Sequence, residues 1–326
     1  MEIQCGCGLG CVEKAETILN GITEYTRPCE NCLNPNLKKF KPLMEQMDLE
    51  KLDANYGRCS CKKRHLDLVM GHVLKILIET GDRDKKSTLR NCCTPLITPA
   101  FPSNTAPYLS ENSVVLLTDK ITKESALKIF EEVPEIKGVI RGDIRRVVGI
   151  KDANSQPNVY ELLSGCDMRC DIVSTQHGHL CIYRKQSQIH VEFSKPVSPK
   201  VQMLEKYLDK YENPRVMDCT CGPGTLGIAS LKYGARHVVF NDLWRPSIEM
   251  TVLNLEVNGF EVESLHSEGP LVAEGKNFKV YSADIMELND DIDETFDLCI
   301  LDTFPGVDTD EFVEALSKLC SEVVVI

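Results

Sequence analysis

The sequence lacks the long apolar runs that would carry it into a membrane. No stretch of its 326 residues approaches the roughly 18 consecutive apolar residues that span a bilayer. The amino terminus, MEIQCGCGLGC, has no basic region followed by an apolar stretch, so we expect no signal peptide and a cytoplasmic location. The chain has one tryptophan and few aromatic residues (6%), and we find no internal repeat. With 42% hydrophobic and 26% charged residues, it has the composition of a globular protein of two or three domains.

Charge is distributed unevenly along the chain. The net charge is -12, but residues 1–200 together carry +3 and residues 201–326 carry -15. Any RNA partner would therefore have to meet the front of the molecule, since nucleic acid binding depends on positive charge near phosphates.

Three segments differ in their patterns. Residues 1–95 are rich in cysteine and read as a helical module, with a buried helix over Leu66–Glu79. Residues 96–198 predict a small α+β domain with one amphipathic helix, 123–132. Residues 199–326 alternate strands and helices, which predicts a parallel, doubly wound α/β sheet of the Rossmann-like kind. In the small domain, strands are expected at 113–117, 138–141, 146–150, 170–173, 179–183 and 188–193, and in the last segment at 215–217, 237–241, 279–282, 298–302 and 322–326.

A glycine-rich turn follows the first strand of the last segment. The strand ends at Asp218 and runs into Cys-Thr-Cys-Gly-Pro-Gly. Glycines between a strand and a helix let the backbone approach a bound nucleotide, so Gly222 and Gly224 are expected to face a ligand. A tight turn in any α/β protein is the structural alternative.

Acidic residues also end the next three strands. Asp242 comes 24 positions after Asp218, where a carboxylate can accept hydrogen bonds from both hydroxyls of a ribose. Trp244 could pack on an adenine face, and Asp284 could accept from the adenine amino group. Asp302 ends the fourth strand. Four acids at the carboxyl edge of one sheet indicate a nucleoside-binding site.

This arrangement resembles class I S-adenosylmethionine-dependent methyltransferases. DCTCGPGTLG, FND and SAD look like their first three motifs, and LDTFP occupies the position of their catalytic motif. Upstream, PEIKGVIRGDIRRVVG and HGHLCIYRKQSQIHVEFSKPVSPKVQ look like the segment that precedes the catalytic domain in archaeal and eukaryotic tRNA guanine methyltransferases. VVFND and LDTFP are also similar to tRNA dimethylguanosine methyltransferases. The resemblance implies S-adenosylmethionine as cofactor and a base in tRNA as methyl acceptor.

The catalytic motif departs from those relatives. Asp302-Thr-Phe-Pro305 is a hybrid of their two usual forms, so the target atom is not implied. We expect Asp302 to accept a proton or hydrogen bond from the nucleophile, and Phe304 and Pro305 to position the acceptor ring. The final strand pair of the family is missing after residue 326. Either the sheet is shorter, or upstream strands or a second copy of the chain cover its edge.

The first sixty residues contain three cysteine clusters. Sixteen cysteines in a reducing compartment favour metal binding over a disulfide framework. The predicted four-ligand site is Cys29, Cys32, Cys59 and Cys61, with His65 as a substitute ligand. Zinc is expected, and an iron–sulfur cluster is the rival. Cys5, Cys7 and Cys11 could join a second site, whereas the roles of Cys92, Cys93, Cys166 and Cys170 are open.

A basic run, Lys62-Lys63-Arg64-His65, follows the Cys59–Cys61 pair. A metal-fixed knuckle with these side chains could contact phosphates, together with Lys38, Lys39 and Lys41, and a solvated surface is the alternative. Three functions are therefore open: an RNA methyltransferase, a small-molecule or protein methyltransferase of anaerobic metabolism, and a regulatory or electron-carrying metal protein. Salt-sensitive binding of bulk tRNA separates the first two, and a visible absorption band would favour the third.

Overall fold

The amino-terminal module has little regular structure apart from one long helix. The computed structural model describes residues 5, 7–8, 10–150 and 156–326, without the side chains of 289–291. Helix α1 spans Ala15–Asn20, strand β1 spans Arg64–His65, and helix α2 spans Leu66–Glu79, as its apolar spacing predicts. Between α1 and β1 the chain forms only two short 3-10 turns. The expectation of a helical module holds only for the short α1 and for α2, because cysteine-bearing loops and prolines occupy most of the rest.

A four-stranded sheet follows, and it shares its core with α2. Its strand order is β2-β4-β5-β6, with β4 and β5 parallel. Side chains of α2, β4 and helix α3 form one apolar cluster. The predicted boundary at 95/96 falls inside β2, so a division there would cut a single core. The elements are β2 Thr94–Ile97, β3 Tyr108–Leu109, β4 Val114–Thr118, α3 Lys123–Glu132, β5 Ile136–Arg141 and β6 Glu161–Gly165.

A two-stranded hairpin connects this region to the last segment. Strand β7 spans Met168–Thr175 and pairs with β8, Gly178–Lys185, in antiparallel register. Two expected strands, 146–150 and 188–193, are loops instead. The second of these was wrong because backbone groups there serve side chains, as where Arg169 donates to the Glu192 carbonyl (2.8 Å).

The carboxy-terminal segment forms a seven-stranded sheet with helices on both faces. The strand order is β11-β12-β13-β10-β9-β14-β15, and the five predicted strands are its parallel members β9, β10, β13, β14 and β15. The elements are α4 Pro199–Leu208, β9 Arg215–Asp218, α5 Thr225–Tyr233, β10 His237–Asn241, α6 Arg245–Val257, β11 Ser264–Leu265, β12 Leu271–Gly275, β13 Phe278–Tyr281, α7 Ile285–Asp291, β14 Phe296–Leu301, α8 Asp310–Leu316 and β15 Cys320–Val325.

The two sheet edges differ. The antiparallel strands β11 and β12, which the sequence did not predict, extend the sheet beyond β13. On the other side β15 is the outermost strand within the described residues, and whether a second copy covers it stays a prediction. Cys299 of β14 and Cys320 of β15 lie next to each other on these neighbouring strands, with Cα atoms 6.0 Å apart. No helix in the described part of the chain is long and apolar enough to cross a membrane.

Helix α6 holds the hairpin against the carboxy-terminal sheet through two asparagines. The Asn254 amide accepts from the Tyr183 N–H (2.7 Å) and donates to the Tyr183 carbonyl (3.0 Å). Asn258 makes the same pair of bonds with Cys181 (3.0 and 2.8 Å). These amides satisfy backbone groups on β8 that a further strand would otherwise pair with, so the hairpin is fixed to the domain that carries the candidate site.

Candidate active site and metal centres

The glycine turn after β9 has one open side and one packed side. Gly222 (φ +54°) and Gly224 (φ +85°) both adopt left-handed conformations that favour glycine. A Cβ on Gly222 would meet no atom within 4 Å, whereas one on Gly224 would come within 3.0 Å of Thr251. Gly222 therefore faces the open side, as expected for a ligand contact. A Cβ on Gly224, the N-cap of α5, would point into the protein, and a contact between the Gly224 backbone and a ligand stays a prediction.

Asp218 carries an unsatisfied acceptor beside this turn. Its Oδ2 accepts from the Gly227 N–H at 2.7 Å, but its buried Oδ1 has no hydrogen-bond partner within the described chain. Burial raises the pKa of Asp218 to about 8. A buried carboxyl oxygen without a donor is costly, so a bound group that donates to Asp218 Oδ1 would be stabilised here. A cationic, amino-bearing ligand such as S-adenosylmethionine fits this requirement.

Asp242 is held beside the turn by two backbone donors. Gly222 N–H donates to its Oδ2 and Trp244 N–H to its Oδ1, each at 2.8 Å. Burial raises the pKa of this carboxyl as well. Since each carboxylate oxygen can accept more than one hydrogen bond, Asp242 retains capacity for ribose hydroxyls.

Trp244 does not lie where the adenine hypothesis puts it. Its Nε1 donates to the Gln188 carbonyl at 2.8 Å, and its ring packs into an apolar cluster with Cys5, Cys11 and Met250. The neighbouring Leu243 is 61% exposed. Sequence favoured the tryptophan because aromatic rings stack well on bases, but burial of the indole outweighed that role.

The tip of β13 is tied to the glycine turn by a residue that the sequence analysis missed. The Asn241 amide donates to the carbonyls of Cys219 and Ala283, each at 3.2 Å. Asp284, predicted to contact the adenine, caps α7 by accepting from the Met286 N–H at 2.9 Å. One of its oxygens thus serves as a helix cap, and the contact with an adenine stays a prediction. The sequence does contain a signal for Asn241, because it is a polar residue at the end of a buried apolar strand.

Asp302 is paired with a lysine that the sequence analysis did not single out. Lys200 Nζ, on α4, lies 2.6 and 2.9 Å from the two carboxylate oxygens. Asp302 N–H also donates to Thr220 Oγ1 at 2.9 Å, which fixes the motif against the glycine turn. Burial raises the pKa of Asp302, while the Lys200 ammonium opposes that rise. An ionised carboxylate with a raised pKa is a competent proton acceptor.

The segment before α4 forms one wall of this site. His190 meets the Phe304 ring edge-on, with centroids 6.2 Å apart. Desolvation lowers the pKa of His190 although its ring reaches solvent, so it is neutral at pH 7. Phe304 also lies next to Gly149, where a Cβ would come within 3.3 Å of the ring. Pro305, the third predicted catalytic residue, is exposed at the rim.

A network of buried ion pairs holds the segment that forms this wall. Arg184 is 2% exposed and donates to Asp171, to Glu192 Oε2 (2.6 Å) and to Thr225 Oγ1 (3.4 Å). Arg169 pairs with the same Asp171. Thr225 is the first residue of α5, so the network joins the β7–β8 hairpin to the glycine turn. The bond from Arg184 to Thr225, 41 residues away, has no signal in a single sequence.

The predicted metal site is assembled from two loops. The Sγ atoms lie 3.7 Å apart for Cys29–Cys32, 3.4 Å for Cys29–Cys59 and 3.5 Å for Cys32–Cys61, and all four lie within 4.8 Å of one another. Thiolates at about 2.3 Å from one tetrahedral zinc ion would be separated by about 3.8 Å. The spacing suits a single ion better than a [4Fe–4S] cluster, in which each thiolate binds a different iron.

Two residues next to this site, which were expected to bind the metal or phosphates, make other contacts. His65, the substitute ligand, accepts from the Asp67 N–H through Nδ1 (3.1 Å) and caps α2. Arg64 is fully buried against Glu135. The basic run expected to contact phosphates is therefore reduced to Lys62 and Lys63, and Lys63 is bonded to the Arg27 carbonyl (3.0 Å).

Comparison with known proteins is consistent with this site. Residues 199–292 match the sequence profile of the ribosomal protein L11 methyltransferase family (PrmA). That match covers the glycine turn and the acids at 218, 242 and 284. The carboxy-terminal part of the chain is therefore a class I S-adenosylmethionine-dependent methyltransferase domain.

Individual relatives match smaller parts or match distantly. A segment of 56 residues is 43% identical to ribosomal RNA large subunit methyltransferase I of Photobacterium profundum, covering 17% of this chain and 14% of that protein. A transferase from Pyrococcus horikoshii is 16% identical over 78% of each chain, with a TM-score of 0.46. The tRNA m1G37 methyltransferase of M. jannaschii is 18% identical over 64% of this chain and 56% of its own, with a TM-score of 0.38. No activity follows from these last two likenesses.

Proposed function

We propose that this protein transfers a methyl group from S-adenosylmethionine to an RNA base, with tRNA as the substrate class. The observation that carries the proposal is the pairing of a nucleoside site with a carboxylate beside it. The unsatisfied Asp218 oxygen and the open face of Gly222 suit the cofactor, and Asp302 lies one hydrogen bond from the same turn through Thr220.

The residues divide the chemistry between them. S-adenosylmethionine, when bound, supplies an activated methyl carbon, so the enzyme chiefly supplies alignment. Asp218, Gly222 and Asp242 would hold the cofactor. Asp302 would accept the proton of a base N–H, and Lys200 would keep that carboxylate ionised and oriented. Phe304, packed on His190, offers an aromatic surface for the acceptor ring.

An exposed patch near the cysteine loops supports an RNA substrate. The Phe40 ring is 72% exposed, and the Arg90 guanidinium lies 4.7 Å from its centroid. Lys38, Lys39 and Lys41 flank the ring in sequence. Aromatic faces stack on unpaired bases while neighbouring cations bind phosphates, which is the usual composition of an RNA-binding surface. The relative from Photobacterium profundum, named for ribosomal RNA, adds support from outside the chain.

We further propose that zinc at Cys29, Cys32, Cys59 and Cys61 holds the loops of this surface. Contacts such as the hydrogen bond from Tyr108 OH to the Leu33 carbonyl (3.3 Å) tie these loops to the rest of the chain. Four metal–thiolate bonds would add a direct link between the two cysteine-bearing loops. An iron–sulfur cluster would give a visible absorption band instead.

The test is to incubate the purified protein with methyl-labelled S-adenosylmethionine and fractionated cell extract. The proposal expects label in tRNA, and binding of bulk tRNA that weakens steeply with salt. Phe40→Ala should weaken tRNA binding without changing cofactor affinity, whereas Leu127→Ala, at an exposed position on α3, should change neither. Label in protein or small molecules alone would replace the proposal with the second methyltransferase class.

A further inference from the structure

Four cysteines outside the proposed zinc site converge at the junction between the amino terminus and the methyltransferase domain. Cys5 and Cys166 have Sγ atoms 3.6 Å apart, Cys7 and Cys11 are 3.4 Å apart, and Cys11 and Cys166 are 3.8 Å apart. All four sulfur atoms lie within 4.8 Å of one another. Three come from the first eleven residues, and the fourth is 155 residues further along the chain than Cys11.

We propose that Cys5, Cys7, Cys11 and Cys166 form a second metal site that binds one zinc-type divalent ion through four thiolates. The sulfur separations match those of a tetrahedral ion with metal–sulfur bonds of about 2.3 Å, which places ligands about 3.8 Å apart. They are too long for disulfide bonds, which join sulfurs about 2.05 Å apart. Without a metal, the four thiols would pack against one another, and nothing would require these particular separations between the sulfur atoms.

The surroundings of the site suit a metal bound by thiolates. Met168 N–H points at Cys166 Sγ from 3.5 Å, and an N–H donor of this kind stabilises a ligating thiolate. The Lys137 side chain is 3% exposed and donates to the Met168 carbonyl at 2.7 Å. Its ammonium lies within electrostatic reach of Cys11 and Cys166. One buried positive charge would offset part of the net double negative charge of a zinc ion with four thiolates.

The location of the site indicates a structural role for the metal. The cysteines belong to an apolar cluster with Ile18 of α1, Tyr183 of β8 and Met250 of α6. The Glu13 N–H also donates to Tyr183 OH at 3.0 Å. The ion would therefore fasten the amino-terminal segment to the hairpin and to the methyltransferase domain. Trp244, which packs in the same cluster, is the only tryptophan in the sequence and would report on the site.

Metal content of the full-length protein tests the proposal. Protein purified under reducing conditions with zinc should contain two ions per chain, one for each group of cysteines. Cys7→Ser and Cys11→Ser should each remove one ion and leave the site at Cys29 filled, and Cys59→Ser should remove the other. Cys170→Ser, a buried thiol outside both groups, should keep two. One ion in the wild type that Cys59→Ser removes and Cys11→Ser keeps, or two ions in both Cys7→Ser and Cys11→Ser, would overturn the proposal.

A second readout does not depend on the variants. Lys14 is exposed between Cys11 and α1, so removal of metal by a chelator should make the Lys14–Ala15 bond sensitive to trypsin and shift the Trp244 fluorescence. Cys59→Ser, with its own site already empty, should show the same change on chelation. If the chelator changes neither the trypsin sensitivity nor the fluorescence, the result would count against the site. A visible iron–sulfur absorption band that Cys11→Ser abolishes would also count against it.

Discussion

Replacement of Asp218 by Asn should weaken cofactor binding and at the same time stabilise the cofactor-free protein. The wild-type carboxyl is fully buried, and burial raises its pKa from 3.8 to about 8. Because the folded-state pKa lies above the unfolded value, ionisation favours unfolding. The contribution of Asp218 to the free energy of unfolding is therefore complete below about pH 4 and is lost as the pH rises from 4 to 8.

The magnitude follows from the shift in the pKa of Asp218. A change of about four units at 1.36 kcal/mol each corresponds to an upper bound of roughly 5 kcal/mol above pH 8. Asn keeps one oxygen to accept from the Gly227 N–H but never ionises. The free energy of unfolding of the variant should therefore exceed that of the wild type by an amount that grows between pH 4 and 8.

Cofactor affinity should move in the opposite direction. Loss of a hydrogen bond to a charged group costs about 1.5–3 kcal/mol, which is roughly a tenfold to hundredfold weaker Kd. If the ligand binds the ionised carboxylate, wild-type affinity should also fall by up to about tenfold per pH unit below pH 8, and the variant should lack this dependence.

Denaturant unfolding and calorimetric titration with S-adenosylmethionine across pH 5–9 measure both effects. Asp297→Asn is the matched control, since Asp297 accepts from the Arg215 N–H at the far end of β14. Equal cofactor affinity in Asp218→Asn and wild type at pH 8 would refute the assignment of Asp218. A variant less stable than wild type at pH 8 would refute the argument from its unsatisfied oxygen.

Three further outcomes are expected. Lys200→Gln should move the acid limb of the kcat–pH profile to higher pH, because Lys200 opposes the rise in the Asp302 pKa; Lys206→Gln, exposed on the same helix, should leave the profile in place. Asn254→Ala should lower the free energy of unfolding by about 2–4 kcal/mol, measured by denaturant titration, because it leaves Tyr183 and Pro223 groups unpaired. It should also weaken cofactor binding, since Pro223 lies in the glycine turn, whereas Asn258→Ala, with bonds to β8 but none to the turn, should lower stability alone.

The parallel core of the sheet was predictable, and its additions were not. Each of β9, β10, β13, β14 and β15 is a short apolar run between turn residues, a pattern that indicates a buried parallel strand. Strands β11 and β12 have mixed polar composition and become strands by pairing along the β13 edge. The 188–193 segment has alternating apolar residues but takes its conformation from contacts with Arg169. Tertiary contacts therefore decided where local pattern was ambiguous.

The residues of the candidate site also divide into those that the sequence could predict and those that it could not. Residues at strand tips, such as Asp218 and Asp242, could be found because topology alone brings strand ends together. Lys200 could not, because its partner Asp302 is 102 residues away in sequence. Arg184 could not, because its pairs with Asp171 and Glu192 depend on how the hairpin and the following loop fold, and Thr225 is 41 residues away. The spacing of Cys29 and Cys32 indicated a metal site locally, whereas Cys166 joins its group only through the packing of β7 against the amino terminus.

The most direct measurement is the identity of methylated nucleosides in unmodified tRNA after incubation with the protein and S-adenosylmethionine. Nucleosides are separated and identified by mass after complete digestion. Wild type and Asp297→Asn should give one methylated base at the same yield, and Asp302→Asn should give at least about a hundredfold less while binding the cofactor as tightly. A methylated base formed equally well by Asp302→Asn would contradict the catalytic assignment. The absence of any methylated nucleoside, with S-adenosylmethionine bound, would contradict tRNA as the substrate class.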